Sequence, residues 1–343
     1  MSRRIMLLPA AMLALLLSAA PALACGGLIG PNGAVNLLRT TTLAGYHDGI
    51  EHYITAFEFA GGGGAFGSLI PLPGVPTSVE KGGDWSLQRL IRETNPLLEA
   101  RLFSADAATG SAIELQKVRI DALDITVLSG GAAEIGQWAK DHGFRLPPDA
   151  PEVLEFYASR SQVFLAAAFD ADAAAERGQQ VGEGTPVHIT IPTPNPWVPL
   201  RILALGKAGA ERVEADVYLL TDIKPALLPS PVLPNGMELE HSAAATDSLL
   251  ADLRSDVGME WVPESAWLSK IRVDASASQL AFDLAIDASG QGTPSRVQAG
   301  MDLPTAAEIG ITPDRLAVAL LTIIAGVGAV LLLTTWRPER AVR

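Results

Sequence analysis

The chain has 343 residues, enough for one large domain or two ordinary ones. It carries 25 basic against 38 acidic residues, and setting aside Arg3, Arg4, Arg337, Glu339, Arg340 and Arg343 near the two ends leaves 20 against 37, a charge of −17. That sign repels nucleic acid and anionic lipid headgroups and excludes both as expected surface partners, while a single cysteine, Cys25, excludes an internal disulfide.

In chain order, Arg3 and Arg4 precede the apolar run Ile5 to Ala20, followed by Pro21 and the small-residue triplet Ala22-Leu23-Ala24. This is the layout of a secretory signal peptide cut between Ala24 and Cys25. An uncleaved anchor helix fits less well, because the run is short and ends at a helix-breaking proline. Cys25 then heads the mature chain. Ala24 suits the position before a lipidated cysteine, but such sites usually carry Leu three residues upstream and Leu23 is only two upstream, so lipidation of Cys25 and a free thiol both stay open.

Leu37 to Tyr46 and Glu51 to Phe59 are rich in β-branched and aromatic residues around Asp48-Gly49, a strong tight-turn pair, and predict a β-hairpin. Phe66 to Leu72 is a further strand ending in the Pro71 to Pro76 elbow. Asp84 is placed to cap a helix from Trp85 that presents Leu87, Leu90 and Ile91 on one face and breaks at Asn95-Pro96. Strands are expected over Ile113 to Ile120 and Asp124 to Leu128. Ala132 to His142, stopped by Gly143, and Pro151 to Ser159 have helical spacing. Val163 to Phe169 reads as a strand and Ala171 to Arg177 as a short helix.

Val187 to Ile191, Leu200 to Leu205, Val213 to Leu220 and Ile271 to Val273 read as strands, and Thr246 to Leu253 as an amphipathic helix. The clearest alternation is Leu280 to Ile286, with Leu280, Phe282, Leu284 and Ile286 facing one way and Ala281, Asp283 and Ala285 the other. Gly290 to Pro313 reads as a linker. Leu316 to Thr335 is free of charge and long enough, at roughly 30 Å as a helix, to span a bilayer. Trp336 follows at interface depth, and Arg337, Arg340 and Arg343 place the C-terminus inside.

The expected organisation is a signal peptide (1–24), an ectodomain (25–300), a linker (301–315), a transmembrane helix (316–335) and a cytoplasmic tail (336–343). The ectodomain should be α+β and β-rich, with antiparallel sheets and a few helices, since no βαβ alternation runs long enough for a parallel sheet. Ile70-Pro71-Leu72-Pro73 and Ile191-Pro192-Thr193-Pro194 are a weak internal echo, compatible with two lobes of about 25–130 and 183–290 joined by a helical segment.

Signals for chemistry are sparse. His47, Asp48, Glu51 and His52 form the densest set of ligand-type residues, but strand parity predicts that His47 and His52 diverge, and the Asp-Gly turn explains Asp48 without a metal. There is no H-E-x-x-H, C-x-x-C, G-x-S-x-G or phosphate loop. His142, His188 and His241 are isolated in sequence. Trp197 in its proline frame, with Trp85, Trp261 and Trp267, could line a peptide or glycan groove, although core packing is the expected role. Leu303-Pro304-Thr305-Ala306-Ala307 before the apolar run is similar to a cell-wall sorting signal, but threonine stands third where such signals need it fourth.

Cys25-Gly26-Gly27, the run Arg39 to Thr77, PWVPLRIL (Pro196 to Leu203) and DVYLLTD (Asp216 to Asp222) resemble the bacterial family called domain of unknown function 2330. The resemblance implies an exported or membrane-anchored bacterial protein and carries over no catalytic residues. The leading expectation is a surface protein anchored by one C-terminal helix, with an ectodomain that binds or scaffolds an envelope ligand or protein. No catalytic, cofactor or metal residues are assigned. An extracytoplasmic hydrolase or metal-dependent enzyme assembled from distant residues, and a lipoprotein-like subunit of a membrane complex, are the alternatives.

Overall fold

A computed structural model describes residues 27–29, 37–59, 66–83, 85–94, 114–120, 123–169 and 186–301. The expected signal peptide, the cleavage site at Ala24 and Cys25, all but the first residue of the linker (301–315), the apolar run Leu316 to Thr335 and the arginine tail lie outside them. The chain divides into two units, Met1–Met301 and Asp302–Arg343, and only the first contains described residues.

The hairpin forms as expected from β2 (Leu37–His47) and β3 (Ile50–Phe59). Asp48 and Gly49 have φ of 49° and 79°, the left-handed pair that lets a two-residue turn match the strand twist. Five more strands complete a seven-stranded sheet: β5 (Ser78–Lys81), β9 (Val187–Pro192), β11 (Arg212–Thr221), β13 (Met237–Ala244) and β14 (Trp267–Ser276). Its order is β13-β14-β11-β2-β3-β9-β5. Every pairing is antiparallel except the central one, where β11 runs parallel to β2 with Ala215 opposite Thr40. The sheet is therefore mixed, and it joins strands from both ends of the described chain.

A second sheet orders β1 (Gly27–Ile29), β4 (Phe66–Pro71), β8 (Val163–Phe169), β7 (Leu123–Ser129) and β6 (Glu114–Ile120) as β1-β4-β8-β7-β6. A three-stranded ribbon links β10 (Trp197–Val198), β15 (Leu284–Asp287) and β12 (Ala226–Leu228). The described residues also hold four α-helices: α1 (Ser86–Thr94), α2 (Ala132–Asp141), α3 (Ala150–Ala158) and α4 (Asp247–Arg254). This is an α+β fold weighted toward β. Among the described residues no helix is long and apolar enough to cross a membrane.

Alternation along the strands gives the large sheet two apolar faces. Leu43, Ile54, Tyr218, Leu220 and Leu268 pack under α1 and α4, against Leu87, Leu90, Leu249, Leu250 and Leu253. Tyr53, Ile189, Ile191, Val217, Leu219 and Ile271 face the main core, shared with Leu69, Ile125, Val127 and Leu165 of the second sheet. Helix ends are met by the means their sequence allows. Thr246 Oγ1 accepts the Leu249 amide at 3.2 Å, and Gly143, at φ 78°, ends the turn after α2. For α1, Asp256 reaches in from more than 160 residues away, its Oδ2 accepting from the Ser86 amide at 2.8 Å and the Ser86 hydroxyl at 2.7 Å. Asp84, the expected cap, lies outside the described residues.

Three expectations change. Leu200 to Leu205 is not a strand: Arg201–Ala204 is a 3-10 turn, because the Asp283 carboxylate accepts from the Leu200 and Arg201 amides and holds its start. In Leu280 to Ile286 only the last part pairs as β15, and Asp283 is fully buried rather than outward. Residues 290–301 are not a free linker, since Ala299 is fully buried and its carbonyl accepts from the Asp283 amide at 3.0 Å.

Candidate functional site

The hairpin tip is where unusual side chains gather. Across the two-residue turn His47 pairs with Ile50 and Gly45 with His52, so His47 and His52 share a face. Parity counted along one strand predicted the opposite. A two-residue turn reverses the chain, and facing is then set by the pairing register rather than by the count. His47 is half-buried, and its Nδ1 donates to Asp222 Oδ1 at 2.7 Å, while Nε2 lies 3.5 Å from Asp48 Oδ2. The Asp222 contact ties the turn to the end of β11.

On that face, His52 Nδ1 meets His188 Nε2 of β9 at 3.0 Å. The ring centroids are 5.2 Å apart, about the nitrogen separation plus the two ring radii, so the nitrogens meet head-on and one ring donates to the other. Trp261 stacks flat on His52 at 4.0 Å and 4°. Its indole lies against the backbone of Gly45, where any Cβ would strike the ring. Burial lowers His52 to about 3, helped by His188 and His47. Burial likewise lowers His188 to about 4, against the opposing pull of Glu260. Both rings are therefore neutral at physiological pH.

The residue before His52 points the other way. Glu51 is fully buried, and among the described residues neither carboxylate oxygen has a close hydrogen-bond partner. Burial raises it to about 8, against the opposing pull of the Trp197 backbone. Tyr46 stands opposite Glu51 in the register and donates its hydroxyl to the Thr193 carbonyl at 2.9 Å. Desolvation, with Glu51 and Asp222 adding to it, raises the Tyr46 phenol. At neutral pH, Glu51 is thus a protonated acid under the segment Thr193–Trp197.

Of the other residues singled out in the sequence, Trp197 is a fully buried core residue stacked on Tyr157 at 5.7 Å. His142 stacks on Trp138 and donates to its carbonyl at 2.6 Å, and His241 is half-buried on β13 opposite Lys270. Trp85 is half-buried at the start of α1, and Trp267 donates its indole N–H to Ser242 Oγ at 3.0 Å. His52, His188 and Trp261 converge. Among the described residues no group of three or more His, Cys, Asp or Glu is arranged to hold a metal ion.

Three buried polar groups had no readable signal. Asp283 Oδ1 accepts from the Tyr157 hydroxyl at 2.8 Å and the Leu200 amide at 2.7 Å, and Oδ2 takes Arg160 Nη2 at 2.7 Å. Burial raises Asp283 against the pull of Arg160 and these donors, and burial also raises Tyr157 well above its ordinary value. The second group is Asp256, described above. The third is Lys270, buried mid-strand in β14.

A family model described as an uncharacterized protein conserved in bacteria, DUF2330, matches residues 19–226, more than half of the chain. The chain belongs to the DUF2330 family. The DUF2330 match takes in His47, Glu51, His52, His188 and Trp197, and ends before Trp261, Lys270 and Asp283. No curated protein matches the chain. Among solved structures, it is similar to the crystal structure of baculovirus P35, with a TM-score of 0.42, 10% identity, and coverage of 74% of this chain and 97% of that one. A mutated baculovirus P35 after caspase cleavage gives a TM-score of 0.40, 9% identity, and coverage of 73% and 99%. Likeness at that level carries no functional argument.

Proposed function

We propose that this DUF2330 protein is a single-pass component of the bacterial envelope whose folded unit, outside the membrane, binds or scaffolds another component rather than catalysing a reaction. The observation that carries this reading is the pair of ends: a leader closing on Ala22-Leu23-Ala24, and the charge-free run Leu316 to Thr335 followed by Trp336 and three arginines. The interior adds support, because the buried carboxylates Asp283 and Asp256 are spent on holding the Leu200–Arg201 turn and the start of α1.

The test combines intact-mass spectrometry of the full chain with protease treatment of intact cells carrying a C-terminal epitope. Expected are an N-terminus at Cys25, loss of the folded unit to external protease, and an epitope protected until lysis. A soluble chain that retains Met1 to Ala24 in the cytosol overturns the proposal.

Glu51 favours a second reading, an enzyme with an enclosed site, because a carboxyl protonated at neutral pH is the state of a general acid. Substrate would need the Thr193–Trp197 segment to open. A hydrolytic activity abolished by Glu51→Gln, in a variant that still folds, would favour this reading.

A further inference from the structure

Lys270 sits in the middle of β14 with its side chain 2% exposed, and two carboxylates reach it from the two flanking strands. Glu240 Oε2 lies 2.6 Å from its Nζ, and Asp216 Oδ1 lies 3.8 Å from the same atom. Glu240 is there because β13 bulges: the register steps from Leu239 opposite Ile271 to His241 opposite Lys270, and the extra residue turns in. Asp216 is one place along the same face of β11 from Tyr218, the direct partner of Lys270, and is itself buried. The Tyr218 ring, 5.9 Å from the ammonium, belongs to the apolar cluster under α1 and α4.

We propose that Lys270 and Asp216 condense into an intramolecular isopeptide bond, with Glu240 carrying the proton. Nζ passes a proton to the Glu240 carboxylate and attacks Cγ of Asp216. The C–N bond forms, a C–O bond of the carboxyl breaks, and water leaves. Of the three ammonium protons, one stays on the amide nitrogen and two depart with the carboxylate oxygen, so an ammonium and a carboxylate become a neutral amide and water. No oxidant or reductant is needed.

Three features favour the step. Paired strands hold the amine beside the carboxyl, with Nζ 3.8 Å from Asp216 Oδ1, so that side-chain rotation alone has to bring it onto Cγ. The two groups to be joined, Lys270 and Asp216, are both buried, which limits access of the water that would reverse the reaction. The product also removes two charges from an interior where each is costly to keep. A chain with one cysteine cannot brace its strands by a disulfide, and this amide would cross-link β11 to β14.

Mass spectrometry of the folded full chain, with peptide mapping after digestion, decides the matter. Expected is a mass short by one water, located in a branched peptide that joins the segments around Asp216 and Lys270. Lys270→Met and Asp216→Ala should each show the full mass. Asp216→Asn should lose one ammonia and give the same branched peptide. Glu240→Ala, altered at a partly exposed position, should fold and remain unlinked. A wild-type chain that keeps its full mass after prolonged incubation in the folded state overturns the proposal and leaves an ordinary buried ion pair. A water loss mapped to any other pair, or an undiminished linkage in Glu240→Ala, also overturns it.

Discussion

Glu51 and His52 are consecutive on β3, face opposite sides of one sheet, and hold their protons in the reverse of the ordinary order. The carboxyl keeps its proton up to about 8, and the imidazole refuses one down to about 3. Burial drives both, because it disfavours the charged form of each group. Two opposite pH dependences follow from one dipeptide.

For Glu51 the native pKa lies above the ordinary value of 4.5. Between about 4.5 and 8 the native chain holds a proton that the unfolded chain has lost, so its stability contribution is complete below 4.5 and falls as pH rises to 8. Glu51→Gln removes the ionisation with little change of shape. At pH 8 the variant should exceed wild type by on the order of 4 kcal/mol in urea unfolding, with the gap closing toward pH 5. Equal stability of the two at pH 8 would contradict the buried placement of the Glu51 carboxyl.

The histidine pair works in the other direction. Both native values lie below the ordinary 6.5, so the stability they contribute is present above 6.5 and is lost as pH falls through about 4 and 3. With Glu51 declining on the alkaline side, these three groups place the stability maximum near 6.5. His188→Gln should flatten the acid limb of the curve, and chemical-shift titration of His52 and His188 should show neither ring protonating above pH 5. A histidine titrating near 6.5 at either position would count against the packed pair.

Gly45 has no side chain because the Trp261 indole occupies that space. Gly45→Ala should force the ring off His52 and cost roughly 1–3 kcal/mol, as overpacking does. Quenching of tryptophan fluorescence by acrylamide reads the displacement. An unchanged quenching profile would show that the stack is not held there.

Removing Asp283 strands Arg160, whose side chain is 4% exposed, without its counter-charge. Asp283→Ala should cost about 3–5 kcal/mol, the usual loss when one partner of a buried pair is deleted. It also frees the segment that Arg160 Nη1 holds through the Gln298 carbonyl. Limited proteolysis should then cut at Arg296 faster than in wild type.

Local sequence carries several elements. The Asp48-Gly49 hairpin, the strands Val163–Phe169 and Arg212–Thr221 and the helices around 132–141 and 150–158 follow from turn chemistry and periodicity within a dozen residues. Leu280 to Ile286 shows where that logic misleads. Its alternation is real, yet Asp283 faces inward because Arg160, Tyr157 and two amides wait for it there.

The chain by itself determined its acidic balance, its β-rich class, the hairpin and the family resemblance, all of which depend on composition or on neighbours in sequence. Only the tertiary structure decided that β2 runs parallel to β11, that His52 finds His188 across 136 residues, that Glu51 is sealed, and that Lys270 sits between Glu240 and Asp216. The reason is common to all four. Alternation fixes which residues share a face of one strand, but the partner strand and its register are chosen by what the whole sheet can bury.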